Sequence, residues 1–377
     1  MKLMHLSDLH IGKRVNDFSM MEDQQFILKE IQGITDDVKP DAVLIAGDIY
    51  DKSIPTAEAV QLFDEFLTGL AERNLPVFFV SGNHDSAERI SFGSHILAAS
   101  DIYIAPVFDG KVKCVTMEDA FGRLNIYMLP FIKPVNVRKY FPDAEIESYD
   151  DAVRVVMKHI GIEESERNIL IAHQFITGAE RSDSEELSVG GLDNIDADAL
   201  EAFDYVALGH IHRPQKVGRE TIRYCGTPLK YSFSEVNHRK SVTVVTIEEK
   251  GQIQIETVPL VPRHDMRKIK GSYEELTLKA NYENTATDDY LHVTLTDEED
   301  ILDAIGKLRS IYPNIMKLEY DNVRTRNQQV IEADEQVEVK SPADLVGEFY
   351  QLQNDQELST DQFEYMNGLI ERIWEVQ

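Results

Sequence analysis

Five short apolar runs, each followed within two residues by an Asp, His, Asn or Gly, constrain this chain more than any other feature. They are Lys2–Leu6, Ala42–Ala46, Val77–Val80, Ile169–Ala172 and Tyr205–Leu208. At four or five residues they are too short for helices and read as strands buried on both faces. Between the first two, Phe26, Ile27, Ile31 and Ile34 recur at helical spacing. Between the second and third, Val60, Phe63, Phe66, Leu67 and Leu70 do the same. The alternation predicts a layered α/β domain, and in such domains the loops beyond the strand carboxyl ends are the usual ligand site.

Those loops carry Asp8-Leu9-His10, Gly47-Asp48, Gly82-Asn83-His84-Asp85, His173 and Gly209-His210-Ile211-His212. On an extended segment residues two apart share a side, so Asp8 with His10, and His210 with His212, are each expected to converge on one point. The glycines at 47, 82 and 209 are expected to let the backbone turn sharply at the strand end. Asp8, His10, Asp48, Asn83, His173, His210 and His212 offer imidazole, carboxylate and amide oxygen without thiolate, a set that suits manganese, iron or zinc. A metal ion takes about four to six ligands, so seven donors predict two metals, with the lone carboxylate of Asp48 as bridge. Two cations ~3.5–4 Å apart form a clamp for in-line displacement at phosphorus. Asp85 is expected to brace the ligands. Taken singly, a histidine at a strand end or a Gly-Asp turn is commonly structural; five such ends in one domain argue for a shared site. The remaining histidines at 5, 95, 159, 238, 264 and 292 are read as structural.

The chain has 38 basic and 67 acidic residues, a net charge of −29. Such a balance predicts weak unaided affinity for nucleic acid unless bound cations or a partner subunit reverse the field locally. With 42% hydrophobic residues, disorder of the whole chain is excluded. Cys114 and Cys225 are too few for a disulfide framework, no run approaches the ~18 apolar residues of a membrane span, and Met1–Asp8 turns polar too early for a secretory signal. A soluble protein of the reducing cytosol is expected.

Residues 1–262 form the α/β domain in this reading. Residues 263–322 read as a small α+β unit: strand Arg267–Lys270, helix Tyr273–Lys279, strand Tyr290–Leu295, helix Glu299–Ile311 and strand Ile315–Tyr320. A polar linker, 323–340, leads to a tail, 341–377, of two amphipathic helices. Ser341 and Ser359 stand at N-cap positions with Asp344 and Gln362 three residues on. In the second helix Phe363, Met366, Ile370 and Ile373 form a stripe that Leu369 and Trp374 widen. The tail carries eight acidic residues against one basic, so its polar face is negative. It is expected to dock in a partner's groove, with packing on its own domain as the alternative.

The strand-end residues resemble the signature of the calcineurin-like metallophosphoesterases. His5-Leu6-Ser7-Asp8-Leu9-His10-Ile11-Gly12, Ala207–His212, Tyr224-Cys225-Gly226-Thr227-Pro228 and Ser188–Asp193 are similar, within that family, to DNA nuclease subunits that work beside an SMC-like ATPase. The resemblance implies a sandwich of β-sheets flanked by helices, a capping domain and C-terminal helices. It implies Asp8, His10, Asp48 and His212 on one metal and Asp48, Asn83, His173 and His210 on the other, with Mn²⁺ as the ion. His84 would contact the scissile phosphate and assist the leaving oxygen rather than bind metal. The implied activity is exonuclease on double-stranded DNA ends and endonuclease on hairpins or single strands, in repair, recombination and replication. The implied assembly is a cytoplasmic, nucleoid-associated homodimer, paired through N-terminal-domain helices, whose tail seats on the coiled-coil base of the ATPase. Archaeal relatives place a histidine near Asp51, so the substrate side departs from them there. Lys13, Arg14, Lys52, Arg89, Arg181 and Arg213, close in sequence to ligand positions, are candidate DNA phosphate contacts, and each alone reads equally as a solvated charge. The alternatives are a phosphoesterase for a small phosphodiester or phosphoprotein, and a non-catalytic scaffold of the same fold. A scaffold would be expected to have lost ligands, whereas none of the eight implied positions is missing.

Overall fold

In the computed structural model β1 (Lys2–Leu6), α1 (Met21–Val38), β2 (Ala42–Ala46), α2 (Ala57–Ala71), β3 (Val77–Val80) and β4 (Ile102–Ala105) follow one another. The structure describes residues 1–185 and 194–323, with Thr325, Ser359, Gln362, Phe363, Tyr365 and Met366 beyond. The first three strands have the bounds that their apolar runs predict. Thr56 caps α2 by accepting from the Ala59 N–H, and Lys39 closes α1 in a left-handed conformation.

A second series follows: β5 (Lys113–Asp119), β6 (Gly122–Leu129), α3 (Tyr149–His159), β7 (Arg167–His173), β8 (Tyr205–Gly209), β9 (Gln215–Val217), β10 (Arg219–Tyr224), β11 (Ser241–Ile247) and β12 (Ile253–Pro259). The strands form two six-stranded sheets, ordered β12-β11-β1-β2-β3-β4 and β9-β10-β8-β7-β6-β5. In each, four adjacent strands run parallel, β1-β2-β3-β4 in the first and β10-β8-β7-β6 in the second. Antiparallel β11 and β12 extend one edge of the first sheet, whose other edge is the parallel β4, and antiparallel β9 and β5 close the two edges of the second.

Three apolar layers account for this arrangement. Leu3, Leu44, Phe78 and Val80 of the first sheet share one core with Ile126, Met128, Ile169, Ile171 and Ala207 of the second, so the sheets pack face to face. The opposite face of the first sheet (Met4, Val43, Ile45, Phe79) is covered by Ile27, Ile31, Phe63 and Phe66 of α1 and α2. The opposite face of the second (Leu170, Val206, Leu208) is covered by Val153 and Val156 of α3. The result is the helix-flanked β-sandwich expected. Phe26 and Val60 depart from the predicted stripes: each leaves over 40% of its surface exposed, because the helix faces that reach the sheet are narrower than the apolar arcs. His5 is a structural histidine. It lies fully buried between the Tyr205 hydroxyl (3.0 Å) and the Leu208 carbonyl (3.2 Å), and burial pushes its imidazole down to about 3.

The chain divides into two compact units. One comprises Met1–Ile269, Asn284–Val293 and Ile305–Lys317; the other comprises Lys270–Glu283, Thr294–Ala304 and the chain from Leu318. A three-stranded sheet is ordered β13 (Met266–Gly271), β14 (Tyr290–Leu295), β15 (Ile315–Tyr320). The helix expected over Tyr273–Lys279 ends at Thr277, where Leu278 turns extended (φ −67°, ψ 118°), after starting on a reciprocal Ser272–Glu275 capping box. The helix expected over Glu299–Ile311 spans only Ala304–Arg309, since Asp303 is left-handed (φ 53°) and Leu302 points to solvent. In the tail the Ser359–Gln362 capping box forms in both directions: Ser359 N–H donates to Gln362 Oε1 (2.9 Å) and Gln362 N–H to Ser359 Oγ (3.4 Å). Phe363 is exposed and Met366 half-buried. Leu369, Ile370, Ile373, Trp374, the linker from 326, the first tail helix and Ser188–Asp193 lie outside the described residues. Among the described residues no helix is long and apolar enough to cross a membrane.

Candidate metal centre

Every sequence-predicted donor sits at or just beyond the carboxyl end of a central parallel strand: Asp8 and His10 after β1, Asp48 after β2, Asn83 after β3, His173 closing β7, and His210 and His212 after β8. The face-to-face packing of the two sheets brings these ends together. Gly209 and His173 are register partners, so β7 and β8 deliver their residues side by side.

The seven donors separate into two neighbouring groups. In one, His10 Nε2 and His212 Nε2 face each other at 3.1 Å, and Asp8 lies within reach of both. In the other, Asn83 Oδ1 stands 3.0 Å from His173 Nε2 and 2.9 Å from His210 Nδ1. Asp48 Oδ2 lies between the groups, 3.6 Å from His10 Nε2 and 3.3 Å from His173 Nε2. Asp8 and His10 converge, yet not through an extended segment: both are left-handed (φ 52° and 45°). His210 and His212 do not converge on one point. His210 takes φ 103°, which breaks strand alternation and sends the two imidazoles to different groups. Asp48 is left-handed as well (φ 49°), so four donors hold a conformation that L-residues rarely adopt, as strained functional sites commonly do.

The glycines serve two purposes. Gly47 (φ 82°) makes the sharp turn that the sequence suggests. Gly82 and Gly209 are there for space: a Cβ would lie 2.0 Å from Asp48 Oδ1 at Gly82 and 1.8 Å from the Ala46 carbonyl oxygen at Gly209. Asp85 braces the loops by accepting from the N–H groups of Gly82 (2.9 Å), Ile49 (3.1 Å) and Tyr50 (3.0 Å). His84 donates its N–H to Asp48 Oδ1 (2.9 Å), while its Nδ1 contacts the Asp51 carbonyl (3.1 Å). Its ring sits edge-on to His10 at 4.8 Å between centroids.

Burial raises Asp8 to about 6. Burial also acts to raise Asp48, but His173 outweighs it and holds the carboxylate well below its usual range. Burial acts to lower His173, but Asp48 and Asp8 outweigh it and raise the imidazole to about 9. Asp8 Oδ2 is fully buried without a hydrogen-bond partner. His173 Nδ1 lies 2.8 Å from the Ala46 carbonyl, which takes the ring proton there and leaves Nε2 as the donor atom facing the centre. An orphaned carboxylate oxygen, a tautomer set by backbone and a donor set of imidazole and oxygen all fit divalent cations.

Sequence reasoning missed the residues behind the ligands. Gln24 donates to the His10 carbonyl (2.7 Å) and to the Tyr231 hydroxyl (2.9 Å), which in turn donates to the Leu9 carbonyl (2.8 Å). Ser184, Glu185, Glu235 and Lys240 surround His212. No local spacing marks any of them. Of the candidate DNA contacts, Arg14, Lys52 and Arg89 are exposed. Lys13 pairs with Asp51 (2.7 Å), Arg213 pairs with Glu180, and the Arg181 guanidinium lies 3.6 Å over the Phe175 ring.

A family model for the calcineurin-like phosphoesterases matches residues 1–214, and a model described as the type 5 capsule protein repressor C-terminal domain matches 262–354. The chain is 34% identical over 381 residues, 99% of both chains, to the SbcD subunit of the SbcCD nuclease of Staphylococcus epidermidis. It is 34% identical over 322 residues, 84% of both chains, to the SbcD subunit of the SbcCD nuclease of Staphylococcus saprophyticus. The family and the donor set together support divalent metals at this cluster. The chain belongs to the calcineurin-like phosphoesterase family, in the branch that holds these SbcD nucleases.

Proposed function

We propose that this chain is the nuclease subunit of an SbcCD-type assembly, a Mn²⁺-dependent phosphodiesterase that trims double-stranded DNA ends and clips hairpins and single strands. The observation that carries the reading is that similarity to SbcD subunits of SbcCD nucleases runs the length of the chain, beyond the metal domain. The nuclease domain is taken as 1–262, the capping domain as 263–322, the linker as 323–340 and the partner-binding tail as 341–377. Its partner would be an SbcC-type SMC-like ATPase, its working form a homodimer, and its place the cytoplasm at the nucleoid.

In this reading Asp8, His10, Asp48 and His212 hold one ion, and Asp48, Asn83, His173 and His210 hold the other. When bound, the pair supplies Lewis-acid charge for the phosphate oxygens and a water activated for in-line attack. The chain does the rest. The Asp51 carbonyl accepts from His84 Nδ1–H and turns Nε2 toward the substrate side. The imidazolium form, which carries a proton on Nε2 as well, would contact the scissile phosphate and pass that Nε2 proton to the leaving oxygen, leaving the neutral Nδ1–H tautomer. Lys13 is committed to Asp51 and sets the charge beside His84, while exposed Arg14, Lys52 and Arg89 meet the DNA backbone. Phe363, Met366, Leu369, Ile370, Ile373 and Trp374 present the apolar stripe to the ATPase, and the acidic face of that helix seeks a basic groove.

Cleavage of a labelled hairpin duplex in Mn²⁺, Mg²⁺ or chelator, with and without the ATPase, tests the proposal. Mn²⁺-dependent cleavage stimulated by the partner is expected. Hydrolysis of a chromogenic phosphodiester with no cleavage of any DNA would overturn it.

A further inference from the structure

His212 lies three residues beyond the end of β8, and its carbonyl accepts from the Thr227 N–H (3.2 Å). Side chains from elsewhere in the fold complete its surroundings. Its N–H donates to Glu185 Oε1 (2.7 Å), its carbonyl accepts from Lys240 Nζ (2.8 Å), and its Nδ1 lies 2.7 Å from Ser184 Oγ. The Ser184 hydroxyl donates to Glu235 Oε1, while Glu235 Oε2 pairs with Lys240. The third Lys240 donor goes to Thr227 Oγ1 (2.6 Å). Glu235 is fully buried and Lys240 is 5% exposed.

The direction of this chain is forced. An ammonium only donates, and a carboxylate beside it only accepts. Ser184 must therefore spend its hydroxyl proton on Glu235, which leaves its oxygen lone pair to accept from His212 Nδ1–H. Nε2 is then the bare nitrogen, and Nε2 is the atom that faces His10 Nε2 at 3.1 Å. For His173 a backbone carbonyl, that of Ala46, does the equivalent work. For His212 the Ser184 hydroxyl stands where that carbonyl would be. A buried ion pair is a poor device for stability alone, because apolar replacement of both partners is often neutral or better.

We infer that Ser184 and the buried Glu235–Lys240 pair are positioning residues that fix the Nδ1–H tautomer and the orientation of His212, preparing it to ligate a divalent cation. This rests on the reading of His212 as a ligand. Imidazole ¹⁵N NMR on metal-free protein and calorimetric Mn²⁺ titration test it on Ser184→Ala, on Ser184→Thr, and on the double variant Glu235→Leu/Lys240→Met, which leaves no uncompensated charge. Ser184→Ala is expected to move His212 toward the Nε2–H tautomer. It should also weaken one Mn²⁺-binding step by about 10–100-fold, the usual effect of losing such a partner, with the other step unchanged. Ser184→Thr should restore both readouts, and the double variant should fold and resemble Ser184→Ala. Unchanged tautomer and unchanged binding in Ser184→Ala and the double variant would overturn the inference. His212→Ala separates the two readings: if it keeps both binding steps, the ligand assignment fails, while the tautomer measurement still decides the role of Ser184.

Discussion

Gly82→Ala tests whether the centre depends on empty space at a strand end. Gly82 has no left-handed φ, so alanine brings no backbone strain, only a methyl group. That methyl would lie 2.0 Å from Asp48 Oδ1, 2.6 Å from its Cγ and 2.5 Å from its backbone nitrogen, whereas ordinary contact begins near 3.4 Å. Oδ1 must retreat by roughly 1.4 Å and the peptide nitrogen by roughly 0.9 Å. The side chain cannot simply rotate away, because the backbone is part of the clash. The displacement would also stretch the hydrogen bond from the His84 N–H to Oδ1. Overpacking of this kind costs about 1–3 kcal/mol, and a misplacement near 1 Å costs about 10²-fold in rate. The variant is expected to fold with a lowered unfolding midpoint, to bind Mn²⁺ weakly at both steps, and to lose at least about 10²-fold in hairpin cleavage. Denaturant melts, Mn²⁺ calorimetry and cleavage kinetics measure the three effects. Full activity with two intact Mn²⁺ steps would refute the close-approach reasoning.

Other expected outcomes follow from the same geometry. Asp48→Ala should weaken both Mn²⁺ steps together and abolish measurable cleavage; a variant that keeps both steps and its activity would remove the bridge assignment. His84→Ala should keep both steps and lose about 10²–10⁴-fold in turnover, and loss of metal there would make His84 a ligand. Against the effect of burial, Asp48 and Asp8 raise His173 to about 9, so below that pH a binding cation must displace its proton. Mn²⁺ affinity should therefore rise with pH and flatten above about 9, with proton release visible in calorimetry across buffers of different ionisation heat; a flat profile would contradict this. Gly33→Ala in α1, where a methyl meets nothing within 4 Å, should stabilise the fold by about 0.5–1 kcal/mol in denaturant melts, and a loss would show that α1 needs the glycine. Charged residues at Phe363 and Ile370 should abolish co-purification with the ATPase while Mn²⁺-dependent cleavage by the isolated chain persists; loss of that basal activity would make the tail part of the core.

Local pattern made much of the fold legible. Apolar runs buried on both faces marked β1, β2 and β3 with their observed bounds, and the polar residues after them marked the strand ends that meet. The β5–β6 and β11–β12 hairpins went unmarked. Their outer strands alternate between exposed and partly covered residues and end in no chemistry, so nothing local sets them apart. The break at Leu278, where the backbone turns extended, and the late start at Ala304, after the left-handed Asp303, leave no sign in the helical spacing.

The residues themselves determined the donor types, the absence of thiolate, the loops that carry them and the capping box at Ser359, because each depends on neighbours within a few positions. The tertiary structure alone decided which imidazole goes with which. His210 and His212 look equivalent in sequence and part company because the backbone at 210 turns left-handed under the constraint of two packed sheets. Gly82 and Gly209 reveal their role only when β2 arrives beside them from more than 30 residues away. The wiring of Ser184, Glu235 and Lys240 around His212 is likewise a product of long-range burial, in which distant polar groups must find one another once water is excluded.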